Sequence, residues 1–426
     1  EADVVVVGAG IVGCATAYYL AQRGVRAVVV ERGAVLGEQS RKNWGFVRQQ
    51  GRDPHEVPLM MEANRIWRGL EQELGADIEW VQGGNLALAA DPARMALYEQ
   101  WLEVARQFDL DTRLLRARDL PAVVPGLGGE WVGGMHTPSD GHADPGKATD
   151  ALARAAAAHG AAVHLGCAVE GVATRNGAVS AVITERGEIR TSWLVCAAGA
   201  WSSRLARTLR LALPQRWVRG TVARTTPAPA VTSCAVWGPG VAFRQRKDGC
   251  FNIAAGGALD HDVTLDSLRQ IRFFLPNYWK NKALFRFHVG LPLVQSLMAA
   301  LPGSSARRHP LIWDRGVEPR PNPAKVQRSF AELQRLLPSL PRLGIAESWA
   351  GYIDATPDLA PVLGEVPGLR GFVFATGFSG HGFAMGPVAG RLVSELIVDG
   401  KPSLDIAPFR FSRFAEKAVG KPRNVL

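Results

Sequence analysis

No stretch of this chain approaches the roughly 18 consecutive apolar residues that a membrane-spanning helix needs, and no segment is compositionally simple. It has no Cys-x-x-Cys pair, no zinc-finger spacing and no Lys/Arg run long enough to follow a phosphate backbone, so a net charge of +10 does not by itself imply nucleic acid. The cysteines are few and odd in number. Cys14, Cys167, Cys196, Cys234 and Cys250 sit mostly among apolar residues and read as buried free thiols of a reducing compartment, not as a disulfide frame. The first strand begins almost at once, which leaves no room for a signal peptide, and the expectation is a cytoplasmic protein.

What the chain does have is length and a glycine-rich opening. Its 426 residues exceed what one core usually supports, so two domains are expected. Residues 4–13 read VVVVGAGIVG, a buried strand that breaks at Gly8 and restarts as an apolar helix. Gly8, Gly10 and Gly13 give the G-x-G-x-x-G spacing, in which the glycines allow a tight turn, close approach of backbone to a pyrophosphate, and close packing of helix on strand. The phosphate sits at the helix N-terminus, where free N–H groups favour an anion. A second strand at 27–30 ends in Glu31, a carboxylate placed to accept hydrogen bonds from an adenosine ribose, with Arg32 beside it.

Residues 32–51 are too polar for a core element and too long for a turn, so they read as a ligand-contacting loop. Helices are expected over 55–74 and 91–108, and again from Asp144-Pro145 to Gly160, the last two opened by an Asp-Pro cap. Short strands joined at Asn176-Gly177 and Arg186-Gly187 lead to an apolar strand at 193–198, and 216–255 is strand-like. The character changes over 264–323, where Phe273, Phe274, Tyr278, Trp279, Phe285 and Phe287 interleave with Arg272, Lys280, Lys282 and Arg286 ahead of LPLVQSLMAAL. Such an insertion suits a membrane interface, a partner surface, or a helical excursion packed on its own domain. A helix over 323–337, strands at 345–353 and 372–375, the glycine-rich TGFSGHGFAMGP at 376–387 and a helix over 388–398 complete the pattern.

Taken together, these motifs resemble the FAD-dependent glycine/D-amino-acid oxidase superfamily of amine-oxidising flavoenzymes: VVVVGAGIVG with Glu31-Arg32, GEQSRKNWG, SDGHADPGKATDAL, VCAAGAWSS, WAGYIDATPD and GFSGHGF, in order along nearly the whole chain. Within it, GRDPHEVPL, AFRQRKDG, the insertion and the tail GKPSLDIAPFRFSRF are most similar to the bacterial membrane-associated L-amino acid deaminases. The resemblance implies an α/β fold. A Rossmann-like FAD-binding domain would come from 1–85, 143–210 and 345–426, and a discontinuous antiparallel-sheet substrate domain from 86–142 and 211–344, with the insertion at about 264–323. It implies non-covalent FAD and hydride transfer from an amino acid's alpha carbon to the flavin, with hydrolysis of the imine to keto acid and ammonia. Such chemistry needs no metal and no Ser/His/Asp nucleophile. An L-amino acid is favoured, with D-amino acids, secondary amines such as sarcosine or proline, and a non-catalytic membrane or partner-binding role as alternatives. The acceptor is a quinone or respiratory chain, or O2, with contact at the inner membrane surface through the insertion.

The same resemblance assigns residues. Ser40, Arg41, Asn43, Trp44 and Gly45 occupy the loop under the isoalloxazine, Val169 meets the adenine, and Ala198, Gly199 and Trp201 close over the phosphates. Gly377, Phe378, Gly380, His381 and Gly382 bring backbone N–H groups to the flavin, where they stabilise growing negative charge, and His381 is either positional or catalytic. A substrate carboxylate calls for a guanidinium fork. Arg244 is the first candidate, then Arg48, with Arg219 and Tyr352 behind them. Ile353 stands where many relatives carry a clamping arginine, Gly351 where sarcosine oxidases attach flavin through cysteine, and Asn252 where oxidases keep a lysine, which favours a dehydrogenase.

Overall fold

The computed structural model describes residues 1–256, 259–275, 285–309, 311–312, 314–316 and 318–420. Two sheets organise it, and the difference between them is written in the strands. Val4–Val7 is apolar at every position and buried at every position, as a strand covered on both faces must be. It lies near the middle of a six-stranded sheet in the order 362–365, 372–376, 193–196, 4–7, 27–30, 162–164, parallel throughout except for the outer strand 362–365. Helix Ile11–Gln22 is buried along almost its whole length between helices Pro145–Ala158 and Gly382–Asp399. The last of these approaches closely because Gly390 has no side chain: a Cβ there would lie 2.5 Å from Thr16 N.

The expected Asp-Pro starts are present. Asp91 Oδ1 accepts from Arg94 N at 2.7 Å and Asp144 Oδ1 from Lys147 N at 2.9 Å, each capping a helix that begins with proline. The strands 169–175, 178–184 and 187–190 form a separate antiparallel meander, turned at Asn176 (φ 52°) and Gly177 (φ 71°). The final helix starts at Gly382, six residues before the expected Val388; it keeps Pro387 inside it and forgoes one backbone bond.

The second sheet has ten strands, in the order 285–288, 259–262, 216–225, 251–255, 241–245, 235–237, 85–89, 133–137, 113–116, with 345–355 also paired to 216–225. It is mainly antiparallel, with parallel pairings at 235–237/85–89 and 259–262/285–288. Helix Pro323–Leu336 covers it through Val326, Leu333 and Leu336, packed on Leu86, Val236, Phe243, Phe251 and Ile253. The strand Ile345–Ala355 leaves this sheet and passes straight to 362–365 of the first, so one continuous run of backbone links the two.

In the insertion, Leu265–Arg269 is a short capped helix, Phe285–His288 adds an edge strand, and helix Leu291–Ala300 has no buried residue. Tyr278, Trp279, Lys280 and Lys282 lie outside the described residues. Among the described residues no helix is long and apolar enough to cross a membrane. All five cysteines are free and buried, and burial pushes the Cys14 thiol up to about 12 and Cys196 to about 11.

Candidate functional site

The glycine turn after Val4–Val7 is required by its surroundings. Gly8 has φ 108°, and a Cβ on it would meet Ala197 O at 2.5 Å; a Cβ on Gly13 would lie 1.9 Å from Gly8 O, so the helix rests directly on the turn. Gly10 caps the helix without a side chain, and the cap comes from far away: Ser40 Oγ accepts from Ile11 N at 2.9 Å. The Glu31 carboxylate accepts from Ala9 N at 2.9 Å and Gly33 N at 2.7 Å, which fixes it at the end of its strand.

One continuous cavity runs from this turn to the second sheet. Gly8, Gly10, Glu31, Arg32, Ser40, Asn43 and Trp44 line it from the first segment, Val169, Ala198, Gly199 and Trp201 from the second, and Tyr352, Phe378, Gly380 and Gly382 from the last. Arg32 is held by Glu38 at 2.6 Å and Asp314 at 2.8 Å, with its guanidinium 4.0 Å from the Trp201 ring centre. Burial pushes the Tyr352 phenol up to about 12, so at neutral pH it keeps its proton.

Seven other expected residues lie outside the lining. Gly13 packs under the turn, Gly377 donates its N–H to Asp354 Oδ2 at 2.9 Å, and Gly45 has φ 96° with Arg244 against it, so that a Cβ would come within 2.7 Å of the guanidinium. Arg41 is exposed, on the outer side of the four-residue helix Gln39–Lys42. Arg48 sits over the Trp237 ring at 4.7 Å and donates to Gln50 O at 2.6 Å; burial, then the neighbouring Arg52, pushes it down to about 9. His381 Nδ1 is 3.5 Å from Glu56 Oε1, and burial followed by Arg52 and Arg48 holds the imidazole well below its ordinary range, hence neutral.

Arg244 is the seventh. It is 0% exposed, donates Nε–H to Trp44 O, and its Nη1 and Nη2 have no hydrogen-bond partner among the described residues. Burial, then Arg246, pushes it down to about 10. Trp44 and Trp237, whose rings are 5.0 Å apart, line the cavity, and Arg244 does not. Asn252 is its cross-strand neighbour and is also buried outside the lining.

The structure adds residues that the motifs did not single out. Lys42, next to Arg41, lines the cavity, as do Gln39, Asp354, Trp237 and Lys325. Asp354 Oδ1 accepts from Gln39 Nε2 at 3.1 Å, and Gln39 Oε1 accepts from Ala200 N at 2.8 Å, so the loop, the 199–201 turn and the 377–380 turn are tied to one buried carboxylate. The signal for Lys42 was present in GEQSRKNWG, but choosing between adjacent cations needs the helix phase.

A long cavity that starts at a helix N-terminus, is floored by glycines whose Cβ positions are already filled, and ends against an aromatic wall fits an extended dinucleotide carrying a planar ring system. Residues 3–396 match the FAD dependent oxidoreductase (DAO) family. The chain belongs to this family. Mitochondrial sarcosine dehydrogenase of Mus musculus is 28% identical to this flavoenzyme over 97% of its chain, and 41% of that relative is covered; the oxidoreductase thus spans about two fifths of that relative's length. The structure of L-amino acid deaminase from Proteus vulgaris superposes with a TM-score of 0.90 at 27% identity, covering 97% of each chain. The form of that deaminase with its specific insertion deleted superposes with a TM-score of 0.77 at 25% identity, covering 97% of this chain and 94% of that one.

Proposed function

We propose that this oxidoreductase oxidises an amino acid at the carbon bearing its amine, giving an imine that hydrolyses to a keto acid and ammonia, with an L-amino acid as the favoured substrate. FAD, when bound, supplies the two-electron acceptor for the hydride leaving that carbon. Gly8, Gly10, Glu31, Ser40 and Gly199 would hold its dinucleotide half. The start of helix Gly382–Asp399 turns the positive end of its dipole toward the cavity, which favours negative charge at that end. Tyr352 keeps its O–H and is a donor, not a base.

The observation that carries the reading is Arg244. A buried guanidinium with two unpartnered nitrogens is costly unless an anion meets it, and a carboxylate answers its fork. Arg244 lies outside the cavity lining, so a carboxylate meets it only when the wall rearranges. The preference for L-amino acids is supported by the likeness to L-amino acid deaminase from Proteus vulgaris. The identity to sarcosine dehydrogenase favours a second reading, a secondary amine. Anaerobic bleaching of the flavin by panels of L-, D- and N-alkyl amino acids separates them: bleaching by L-amino acids is expected, and bleaching by secondary amines alone would defeat the first reading.

The insertion is proposed to rest on a membrane surface. Val289, Leu291, Val294 and Met298 are 76%, 66%, 51% and 60% exposed on and beside a helix that buries none of its residues.

A further inference from the structure

The walls of the cavity are not charged alike. Near the glycine turn the ionisable residues are Glu31, Glu38 and Arg32, and Arg32 is paired to Glu38. Toward the second sheet they are Lys42, Arg219 and Lys325, with Tyr352 and one carboxylate, Asp354, whose oxygens are taken up by Gln39 Nε2 and Gly377 N. Each of these three cations has a carboxylate partner, and none of the three partners belongs to the lining. Lys42 Nζ is 3.0 Å from Glu318, Arg219 Nη2 is 3.3 Å from Asp262, and Lys325 Nζ is 2.8 Å from Asp260. Asp260 is fully buried and also meets His288 Nε2 at 2.9 Å and Asn322 Nδ2 at 3.3 Å, so it is anchored from behind. These three cations belong to the wall, and their own partner carboxylates stand outside it.

Strand register makes these residues one row. Arg219 stands opposite Tyr352 on one neighbouring strand and opposite Asp260 on the other, and Gly220 stands opposite Gly351. Lys42 crosses that glycine: a Cβ on Gly351 would be 2.8 Å from the Lys42 Cβ. Burial holds Asp262 above the ordinary carboxylate range against the pull of Arg219. Building ion pairs into a cavity wall carries a desolvation cost that a wall made for an apolar side chain would avoid.

In the reading above, the alpha carboxylate is met by Arg244, which is outside this row. We propose that Lys42, Arg219 and Lys325 form a second anion subsite, and that the substrate is an amino acid or secondary amine carrying a second carboxylate. The proposal rests on the amine-oxidising reading and adds the substrate class to it. The cofactor's phosphates are the other anions this cavity would meet, and the test separates the two.

The FAD-loaded protein is titrated with succinate, glutarate and adipate against butyrate, and the flavin difference spectrum is followed. The best dicarboxylate is expected to bind at least about tenfold more tightly than butyrate, and Lys42→Gln to reduce that ratio below about threefold. Lys42 is the position to change because its partner Glu318 is 62% exposed, so no buried charge is stranded. Arg41→Gln, on the outer side of the same short helix, is expected to keep the ratio. Dicarboxylates that bind no tighter than butyrate overturn the subsite, as does a Lys42→Gln protein that keeps the full ratio. A Lys42→Gln protein that loses affinity for FAD at an unchanged ratio assigns the row to the phosphates and also overturns it. Failure of every amine to bleach the flavin, with the dicarboxylate ratio intact, sinks the amine-oxidising reading and leaves the subsite standing.

Discussion

Among the described residues Arg244 and Arg413, at 0% and 1% exposure, are the most enclosed arginines, and they should respond to methionine differently. Arg413 is fully answered. Nε and Nη2 donate to the two oxygens of Asp358 at 2.9 and 3.0 Å, Nη1 donates to Phe409 O and Arg410 O, and Nη2 also reaches Ala360 O. Arg413→Met strands the Asp358 carboxylate, itself 6% exposed, and should cost about 3–5 kcal/mol. Arg244 has one hydrogen bond, to Trp44 O, and two unpartnered nitrogens. Its depression from 12.5 to about 10 corresponds to a penalty of about 3 kcal/mol for holding the charge in the folded state. Arg244→Met removes that penalty and loses one charge-assisted hydrogen bond of about 1.5–3 kcal/mol, so stability should change by no more than about 1.5 kcal/mol in either direction. Substrate affinity, in contrast, should fall by at least about 30-fold, the loss expected when one side of a buried charge pair is removed. Urea unfolding at a fixed excess of FAD gives the first quantity, and the substrate dependence of anaerobic bleaching gives the second. If Arg244→Met is destabilised as much as Arg413→Met, or binds substrate normally, Arg244 is a structural residue and the argument from its unpartnered nitrogens is wrong.

Three further outcomes follow from the geometry. Gly13→Ala places a Cβ 1.9 Å from Gly8 O; the turn must move, and the purified variant should carry less than about a tenth of the flavin of the parent, read from flavin-to-protein absorbance. Burial pushes the Asp140 carboxyl up to about 6 against hydrogen bonds from Gln49 and Gln50, so the folded state keeps a proton that the unfolded chain releases near pH 4. Its stabilising contribution is complete below about pH 4 and is lost as pH rises through about 6, so the urea midpoint of the parent should decline across that window relative to Asp140→Asn; parallel profiles would count against it. Replacing the exposed Leu291 and Met298 with glutamate should abolish sedimentation with anionic liposomes at unchanged thermal stability, and undiminished sedimentation would remove the membrane role.

Much of the fold could be read locally because local chemistry determines it. The valine strand, the Asp-Pro caps and Asn176-Gly177 each specify their own backbone, and the ordered glycine turns place three segments at one cavity. What could not be read depends on phase and distance. Arg41 and Lys42 are adjacent and alike in sequence, yet a helical step of about 100° sends one to solvent and the other to the cavity wall. Arg244 lies on the strand the motif indicated, but it is bonded to the backbone of Trp44, 200 residues away, and stands outside the cavity lining. Gln39 and Asp354 are 315 residues apart and look unremarkable until the fold joins them. The last helix begins earlier than expected for the opposite reason: Pro387 inside it costs one backbone bond, but packing of Phe383, Ala384 and Met385, all buried, outweighs that loss.

The sheet order also sets a timetable. Val4–Val7 is made shortly before its neighbour on one side, Ala27–Val30, but its other neighbour is Trp193–Cys196, and that strand in turn needs Phe372–Thr376. The glycine turn is therefore braced by strands made long after it, and a nascent chain must carry an unpaired, wholly apolar strand edge while the 185 residues between Val7 and Trp193 are added. Long-range parallel pairing of this kind folds slowly and leaves edges open to aggregation. High-yield production of this protein should accordingly depend more on the rate of translation and on free flavin supplied early than on the stability of the finished fold.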